Sequence, residues 1–203
     1  MRINFPTATL LATLLPSVAA AQQATTAAAA APTAPQTATA AMAAPARADS
    51  APVAAAFRDN YNQVGKNLMA AGDEMPARKY SYKPTKAQMS FGQIMVHLAQ
   101  GNDYLCGTIG GVKAPERTKV AATDSKDVLV ARLKETFAFC DQALAQLDDS
   151  KLGEQLPFFG GRMMSRAAVM TVTTGDWADH YSQEAIYLRL NGLLPPTAKK
   201  PAM

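Results

Sequence analysis

The chain contains only two histidines, two cysteines and one tryptophan, so few of the side chains that commonly carry chemistry are available to it. It has no run of clustered Lys and Arg, and the stretch from Val53 to Pro196 holds 16 basic against 15 acidic residues. A nucleic-acid-binding face needs positive charge gathered on one side, so we expect no nucleic-acid partner. A GxSxG sequence is also missing, which argues against the nucleophile elbow of the α/β-hydrolases.

The N-terminal apolar stretch, from about Ala8 to Val18, is too short and too interrupted by proline to span a membrane, which takes about 20 apolar residues. Arg2 precedes it and Ala19-Ala20-Ala21 follow it, a layout typical of a secretory signal peptide. We predict a signal peptide over residues 1–21, cleavage near Ala21, and an exported, periplasmic or secreted protein with no transmembrane segment in its mature form. The alternative is an N-terminal helix of the folded protein.

Residues 22–51 are mostly Ala, Thr, Pro and Gln, without a single aromatic side chain. Such a composition cannot bury enough apolar surface to offset the entropy lost on ordering, so we predict a disordered tether. A second disordered tail is expected over residues 197–203. Residues 52–196 remain as one domain, long enough to form one hydrophobic core.

Four segments of this domain carry apolar residues at helical spacing and no strand pattern separates them. They cover residues 52–75, 86–109, 126–147 and 163–190. This pattern predicts an all-α four-helix bundle, in which the long connectors after the second and third helices permit a crossover.

Local signals set the expected helix ends. Thr85, with Gln88 three residues later, predicts a capping box for the second helix, and Gly110-Gly111 should end it. Asp124 or Ser125 can cap the third helix. The weak helix formers from Thr171 to Gly175 predict a bend or break in the fourth helix.

Both histidines lie in predicted helices. Asp176 precedes His180 by four residues, which places both on one helix face, and His97 lies at the border of the apolar stripe of the second helix. Two imidazoles and a carboxylate can hold a divalent metal. The alternatives are a structural His97 that donates to a backbone carbonyl, and an Asp176 and Asp179 that only solvate a helix near its N-terminal end.

Three blocks, MPARKYSYKPT, SFGQIMVHLAQGNDYLCGTI and DHYSQEAIYLRLNGLLPP, resemble the damage-inducible DinB-like superfamily, in its secreted branch of uncharacterised members, over about residues 57–196. The resemblance implies a four-helix bundle with a crossover, often a homodimer, and a divalent metal, zinc or nickel, commonly held by three histidines. His97 matches the histidine of the second helix and His180 matches the last one. The remaining histidine should lie four residues before His180, where this chain has Asp176.

Asp176 leaves two functions open. In an enzyme, the metal held by His97, Asp176 and His180 would lower the pKa of a thiol or a water and so generate a nucleophile, with Tyr104 or Gln183 orienting the substrate or the ligands. Relatives use thiol cofactors that are mainly cytoplasmic, so hydrolysis suits an exported protein better. In a non-catalytic envelope or stress module, the site would be degenerate and free of metal.

Cys106 and Cys140 lie on or near the apolar sides of the second and third helices. Disulfides persist outside the cytoplasm, so a bridge between these helices is possible in an exported chain. Two buried free thiols are the alternative, because cysteine is common in protein cores. Trp177, Tyr181 and Tyr187 are interpreted as aromatic residues of the core or of a dimer interface.

Overall fold

A computed structural model describes residues 51–199 of the chain. Its helices are α1 (Pro52–Glu74), α2 (Phe91–Gly110), α3 (Lys126–Leu144) and α4 (Arg166–Leu190). Two strands, β1 (Gln155–Phe158) and β2 (Arg162–Ser165), form an antiparallel hairpin between α3 and α4. The predicted all-α four-helix bundle is confirmed, with the hairpin as an addition. The predicted signal peptide and all but the last residue of the tether lie outside the described residues.

The helices pack so that each has two main neighbours. Helix α2 lies against α3 and α4, and α1 lies against the same two helices. Consecutive helices α1 and α2 therefore lie across the bundle from each other, as do α3 and α4. The predicted crossover after the third helix is present, because the connector from α3 to α4 crosses the bundle. The connector from α2 to α3 joins neighbouring helices instead, and the second crossing connector is the one from α1 to α2.

The core is built from the predicted apolar stripes and from one aromatic cluster. The stripe of α2 is almost completely buried and consists of Phe91, Ile94, Met95, Leu98, Leu105 and Ile109. Trp177 of α4 is 1% exposed, and its ring centroid lies 5.8 Å from that of Phe57 and 5.4 Å from that of Tyr61 on α1. Trp177 is thus a core residue that joins α4 to α1.

Helices α2 and α3 are joined covalently. Cys106 and Cys140 form a disulfide with their Cα atoms 5.2 Å apart, so the structure contains the bridge rather than two free thiols. Close to it, a side chain on Gly110 would collide with the backbone carbonyl of Ala143. Glycine at this position therefore lets the two helix backbones approach each other closely.

Helix α2 begins later than predicted. Ser90 accepts a hydrogen bond from the Gln93 backbone N–H, and the Gln93 side chain accepts one from the Ser90 N–H, which makes a complete capping box. The same spacing at Thr85 and Gln88 gives only a local turn, with a side-chain hydrogen bond of 3.2 Å. The predicted cap at Thr85 is therefore wrong. The other end is as expected, with Gly111 in the left-handed conformation at φ 68°.

Helix α4 also begins later, at Arg166, because residues 162–165 pair with β1. Ser165 caps it by accepting from the Ala168 N–H. No bend interrupts it near Gly175. The hydroxyls of Thr171 and Thr173 donate to the carbonyls of the preceding turn, so these weak helix formers are accommodated inside a continuous helix.

The remaining boundaries differ slightly from the predictions. Helix α3 is capped by Ser125 and ends at Leu144 rather than at residue 147. Beyond α4, a short 3-10 turn, Pro196–Ala198, is held by a hydrogen bond from the Thr197 N–H to the Tyr181 hydroxyl. The folded part therefore extends past the predicted boundary at Pro196. Within the described residues, none of the helices combines the length and the apolar character needed to cross a bilayer.

Candidate metal centre

The candidate site lies between α2 and α4 and contains the three residues expected from the sequence. His97 projects from α2, while Asp176 and His180 project from consecutive turns of α4. Because α4 is continuous, Asp176 lies near its middle, ten residues after Arg166. The helix dipole favours a negative charge mainly within the first turn. The alternative in which Asp176 only solvates the N-terminal end of a helix therefore does not explain its position.

The two histidines point at one carboxylate oxygen. The Nε2 atom of His97 lies 3.5 Å from Oδ1 of Asp176, and the Nε2 atom of His180 lies 3.4 Å from the same oxygen. The two imidazole centroids are 4.5 Å apart, with an angle of 60° between the ring planes. Each residue offers one possible ligand atom, and these three atoms lie within 4.8 Å of one another.

These distances fit the first coordination shell of a divalent metal. Zinc binds imidazole nitrogen and carboxylate oxygen at about 2.0 to 2.2 Å in a tetrahedral arrangement, which places two ligand atoms about 3.4 Å apart. The separations of 3.5 and 3.4 Å match this value. A tetrahedral zinc held by this donor set of two nitrogens and one oxygen would have a fourth position free, as in catalytic rather than structural zinc sites.

Burial differs sharply across the site. The side chain of His97 is 48% exposed, that of Asp176 is 27% exposed and that of His180 is 7% exposed. The site therefore opens to solvent on the α2 side and closes toward the core on the α4 side. A cation held here would be reached from the His97 side.

The charge of Asp176 is favoured by its neighbours. Burial, the strongest single influence, raises its pKa, but hydrogen bonding and charge from His180 and His97 together outweigh it and lower the pKa. Asp176 is therefore ionised at neutral pH, the form that binds metal. Gly101 of α2 faces the other oxygen, since a Cβ on that glycine would lie 3.9 Å from Oδ2.

The two residues predicted to support the site make their hydrogen bonds elsewhere. The Tyr104 hydroxyl donates to the Pro157 carbonyl at 3.4 Å, and its ring contacts Phe159 at the hairpin tip with centroids 4.2 Å apart. The Gln183 amide donates to Asp179 at 2.7 Å. Tyr104 and Gln183 are thus tied to the hairpin and to the exposed face of α4.

Two further polar residues, Asn102 and Glu184, lie on the helices that carry the site, and the sequence analysis gave neither a role. The Trp177 Nε1–H donates to Asn102 Oδ1 at 2.8 Å, which ties the turn next to Asp176 to α2. Glu184, four residues after His180, is completely buried. The repeated spacing of four from Asp176 to His180 to Glu184 is the signal that identifies it.

The family comparison decides the relationship of this domain to known proteins. The family model for the DinB superfamily matches residues 60–183, which is more than half of the chain and includes all three candidate ligands. The chain belongs to the DinB superfamily. The matched region ends one residue before Glu184.

Solved structures agree with this assignment at the level of fold. A DinB-like protein from Bacillus cereus is 18% identical with a TM-score of 0.56, and covers 69% of this chain and 93% of its own. A DinB-like protein from Bacillus subtilis is 18% identical with a TM-score of 0.56, covering 72% and 99%. A conserved protein from Enterococcus faecalis is 15% identical with a TM-score of 0.55, covering 68% and 96%. No curated protein matches the chain significantly.

Proposed function

We propose that this DinB superfamily domain is an exported divalent-metal protein whose His97, Asp176 and His180 hold zinc or nickel. The observation that carries the proposal is the convergence of two Nε2 atoms on one carboxylate oxygen at 3.5 and 3.4 Å. A surface ion pair needs only one partner for Asp176, whereas three ligand atoms at these mutual distances suit the coordination face of a metal. The lowered pKa of Asp176 adds the negative charge that a cation requires.

The activity we propose is hydrolysis or group transfer at the open side of the site. The bound metal would supply Lewis acidity and lower the pKa of a water or thiol. His180 and Asp176 fix the ligand positions from the continuous helix α4, while the half-exposed His97 borders the entrance for substrate. Hydrolysis is favoured over thiol transfer because the predicted export removes the chain from the cytoplasmic thiol pool.

Export is supported by the predicted signal peptide and by the chemistry of the cysteines. A disulfide such as Cys106–Cys140 persists in oxidising compartments and is rare in the cytoplasm. The homodimer implied by the family resemblance stays a prediction. Light scattering over a wide concentration range measures it directly, and a constant monomer mass would contradict it.

A non-catalytic envelope module is the second candidate, and one observation favours it. Asp176 lies within ion-pair distance of both histidines, so protonated imidazoles would satisfy the carboxylate without any metal. In this alternative the cluster is a small, partly exposed salt bridge that joins α2 to α4. The two candidates differ in metal occupancy.

The test is elemental analysis of the full chain, purified with its disulfide intact, together with His97→Ala, Asp176→Ala and the control Asp179→Ala. Asp179 is an exposed carboxylate on the same helix that bonds Gln183 rather than the histidines. We expect near-stoichiometric zinc or nickel in the wild type and in Asp179→Ala, and its loss in the other two variants. Wild-type protein that stays free of metal after reconstitution would defeat the metal proposal and favour the second candidate.

A further inference from the structure

A cavity of about 550 Å³ lies where the α1–α2 connector and the α2–α3 connector meet over the first turn of α2. Its volume falls within the range of small-molecule sites, about 300 to 1,000 Å³. None of His97, Asp176 and His180 lines it. The cavity is therefore separate from the candidate metal centre.

Backbone contacts hold the walls of the cavity. The N–H of Phe91 donates to the Tyr82 carbonyl at 3.0 Å, and that of Gly92 donates to the Tyr80 carbonyl at 2.8 Å. A Cβ on Gly92 would lie 2.6 Å from the Ala122 carbonyl oxygen, so glycine lets the second connector close over the helix. These bonds use the first N–H groups of α2, so side chains rather than the helix end must supply the contacts to a ligand.

The cavity carries positive charge that the fold does not neutralise. Arg78 and Lys83 line it, and neither forms an ion pair with the described residues. The acidic residue of the lining is Asp124, whose carboxylate already accepts from the Ala121 N–H at 2.9 Å. Residues 75–90 contain four basic and no acidic residues, spaced too widely along the chain to form a basic run.

The neutral side chains of the lining offer free hydrogen-bond donors. Ser81 and Thr123 line the cavity, and their hydroxyls make no hydrogen bond with the part of the chain that the structure describes. Ser90 Oγ accepts from the Gln93 N–H at 3.2 Å, and the Gln93 side-chain oxygen accepts from the Ser90 N–H at 2.7 Å. The Ser90 O–H and the Gln93 amide N–H groups therefore stay free to donate. Such a lining suits an anion with several acceptor oxygens.

We propose that this cavity binds a small soluble molecule through a phosphate group, with charge from Arg78 and Lys83 and directed hydrogen bonds from lining hydroxyls such as that of Thr123. A phosphate brings up to two negative charges and three strong acceptor oxygens, which suits two cations and several donors better than the two oxygens of a carboxylate. The concave shape favours a small molecule over a membrane surface. The metal ligands take no part, so the proposal is independent of the proposed function.

The test is isothermal titration calorimetry of the full disulfide-bonded chain with inorganic phosphate and with pyrophosphate. The protein is first freed of metal, so that the anions cannot bind through an ion at the metal centre. The cavity variant combines Arg78→Gln with Lys83→Gln. We expect it to bind pyrophosphate at least about 10-fold more weakly than wild type, because a hydrogen bond to a charged group accounts for roughly that factor.

Two further variants distinguish a formed site from a charged surface. Lys66→Gln combined with Lys151→Gln removes the same charge at two exposed lysines outside the cavity, and we expect this control to bind pyrophosphate nearly as tightly as wild type. Thr123→Val removes one exposed hydroxyl and keeps the charge. We expect Thr123→Val to weaken binding by about 2- to 10-fold and to unfold at the wild-type temperature, because the hydroxyl makes no hydrogen bond with the described residues.

Three results would overturn the proposal. The first is wild-type protein that binds neither anion at millimolar concentration. The second is an equal loss in the two double variants, or wild-type affinity in Thr123→Val, since either would mean that only unspecific charge attracts the anion. The third is binding to phosphatidylglycerol vesicles without binding to pyrophosphate, which would assign the cations to a membrane surface. A chain that holds no metal would defeat only the proposed function.

Discussion

Helix α2 presents two very different faces to its neighbours. Toward α3 it is joined by the Cys106–Cys140 disulfide, and Asn102 donates to the Thr136 hydroxyl at 3.2 Å. Toward α4 it presents the half-exposed His97 to a helix whose His180 and Glu184 hold buried atoms without hydrogen bonds.

The difference separates stability from function within one small bundle. Buried polar groups that are fully bonded rigidify a core, whereas unpaired ones cost free energy. The covalent bridge and the Asn102–Thr136 hydrogen bond stabilise the fold through the α3 face of α2, so the α4 face can carry buried polar atoms that make no hydrogen bond with the described residues. Departures from ordinary packing rules are expected at functional sites.

Removing the disulfide should produce the largest loss of stability. The bridge closes a segment of 34 residues, for which the chain-entropy model gives about 4 kcal/mol. We expect Cys106→Ala combined with Cys140→Ala to lower the free energy of unfolding by about this amount in urea denaturation, and to leave zinc affinity close to that of wild type.

Reductant provides the matched control for this prediction. Adding a dithiol to the wild type should lower its stability to that of the double variant, and adding it to the double variant should change nothing. Loss of zinc binding in the folded double variant would show that the two faces of α2 are coupled. Stability and metal binding would then not be separate properties of the two faces.

Asn102→Ala should have the next largest effect. It leaves the buried Trp177 N–H without its acceptor and removes a second hydrogen bond to Thr136, so we expect a loss of about 2 to 3 kcal/mol in the free energy of unfolding. Trp177 is the only tryptophan, so its fluorescence should report the change directly.

Thr136→Val is the control for Asn102→Ala. It removes only the hydroxyl that Asn102 donates to, so the indole keeps its acceptor, and we expect about 1 kcal/mol with unchanged tryptophan fluorescence. Equal losses in the two variants would mean that the Asn102–Trp177 hydrogen bond contributes little.

The sequence predicted the elements of this fold better than their edges. Apolar spacing located four helices because a core-facing stripe repeats every turn, and Gly110-Gly111 marked the end of α2 correctly. The hairpin was missed because each strand has only four residues, although the Gly160-Gly161 pair between two apolar runs is a hairpin signal. Both glycines have positive φ, at 71° and 73°.

The candidate site could be predicted only in part. Spacing alone places Asp176 beside His180. His97 could only be offered as a third ligand from a facing helix, which the family resemblance then supported, since periodicity does not tell which helices face each other. Glu184 escaped notice because glutamate on a helix is ordinarily exposed. Its burial depends on how α4 is rotated in the bundle, and the buried face of α4 is unusually polar, with Thr173, His180 and Glu184 on it.

A pH dependence should locate the energetic cost on the α4 face. Folded Glu184 has a raised pKa, so above its ordinary pKa of about 4.3 the folded protein keeps a proton that the unfolded chain has released. Stability then falls as pH rises toward the folded pKa, by up to about 1.4 kcal/mol per pH unit. Glu184→Gln does not titrate and lacks this contribution. Urea denaturation between about pH 5 and pH 8 should therefore show the variant gaining stability relative to wild type as pH rises.

The disulfide variant completes this last test. Because the disulfide joins α2 to α3, on the side of α2 away from α4, the double alanine variant should be less stable at every pH but keep the wild-type slope. Adding Glu184→Gln to it should remove the slope, and distant independent changes should add to within about 0.5 kcal/mol. Parallel curves for wild type and Glu184→Gln would instead mean that Glu184 has found a partner that restores its usual pKa, and the contrast between the two faces would disappear.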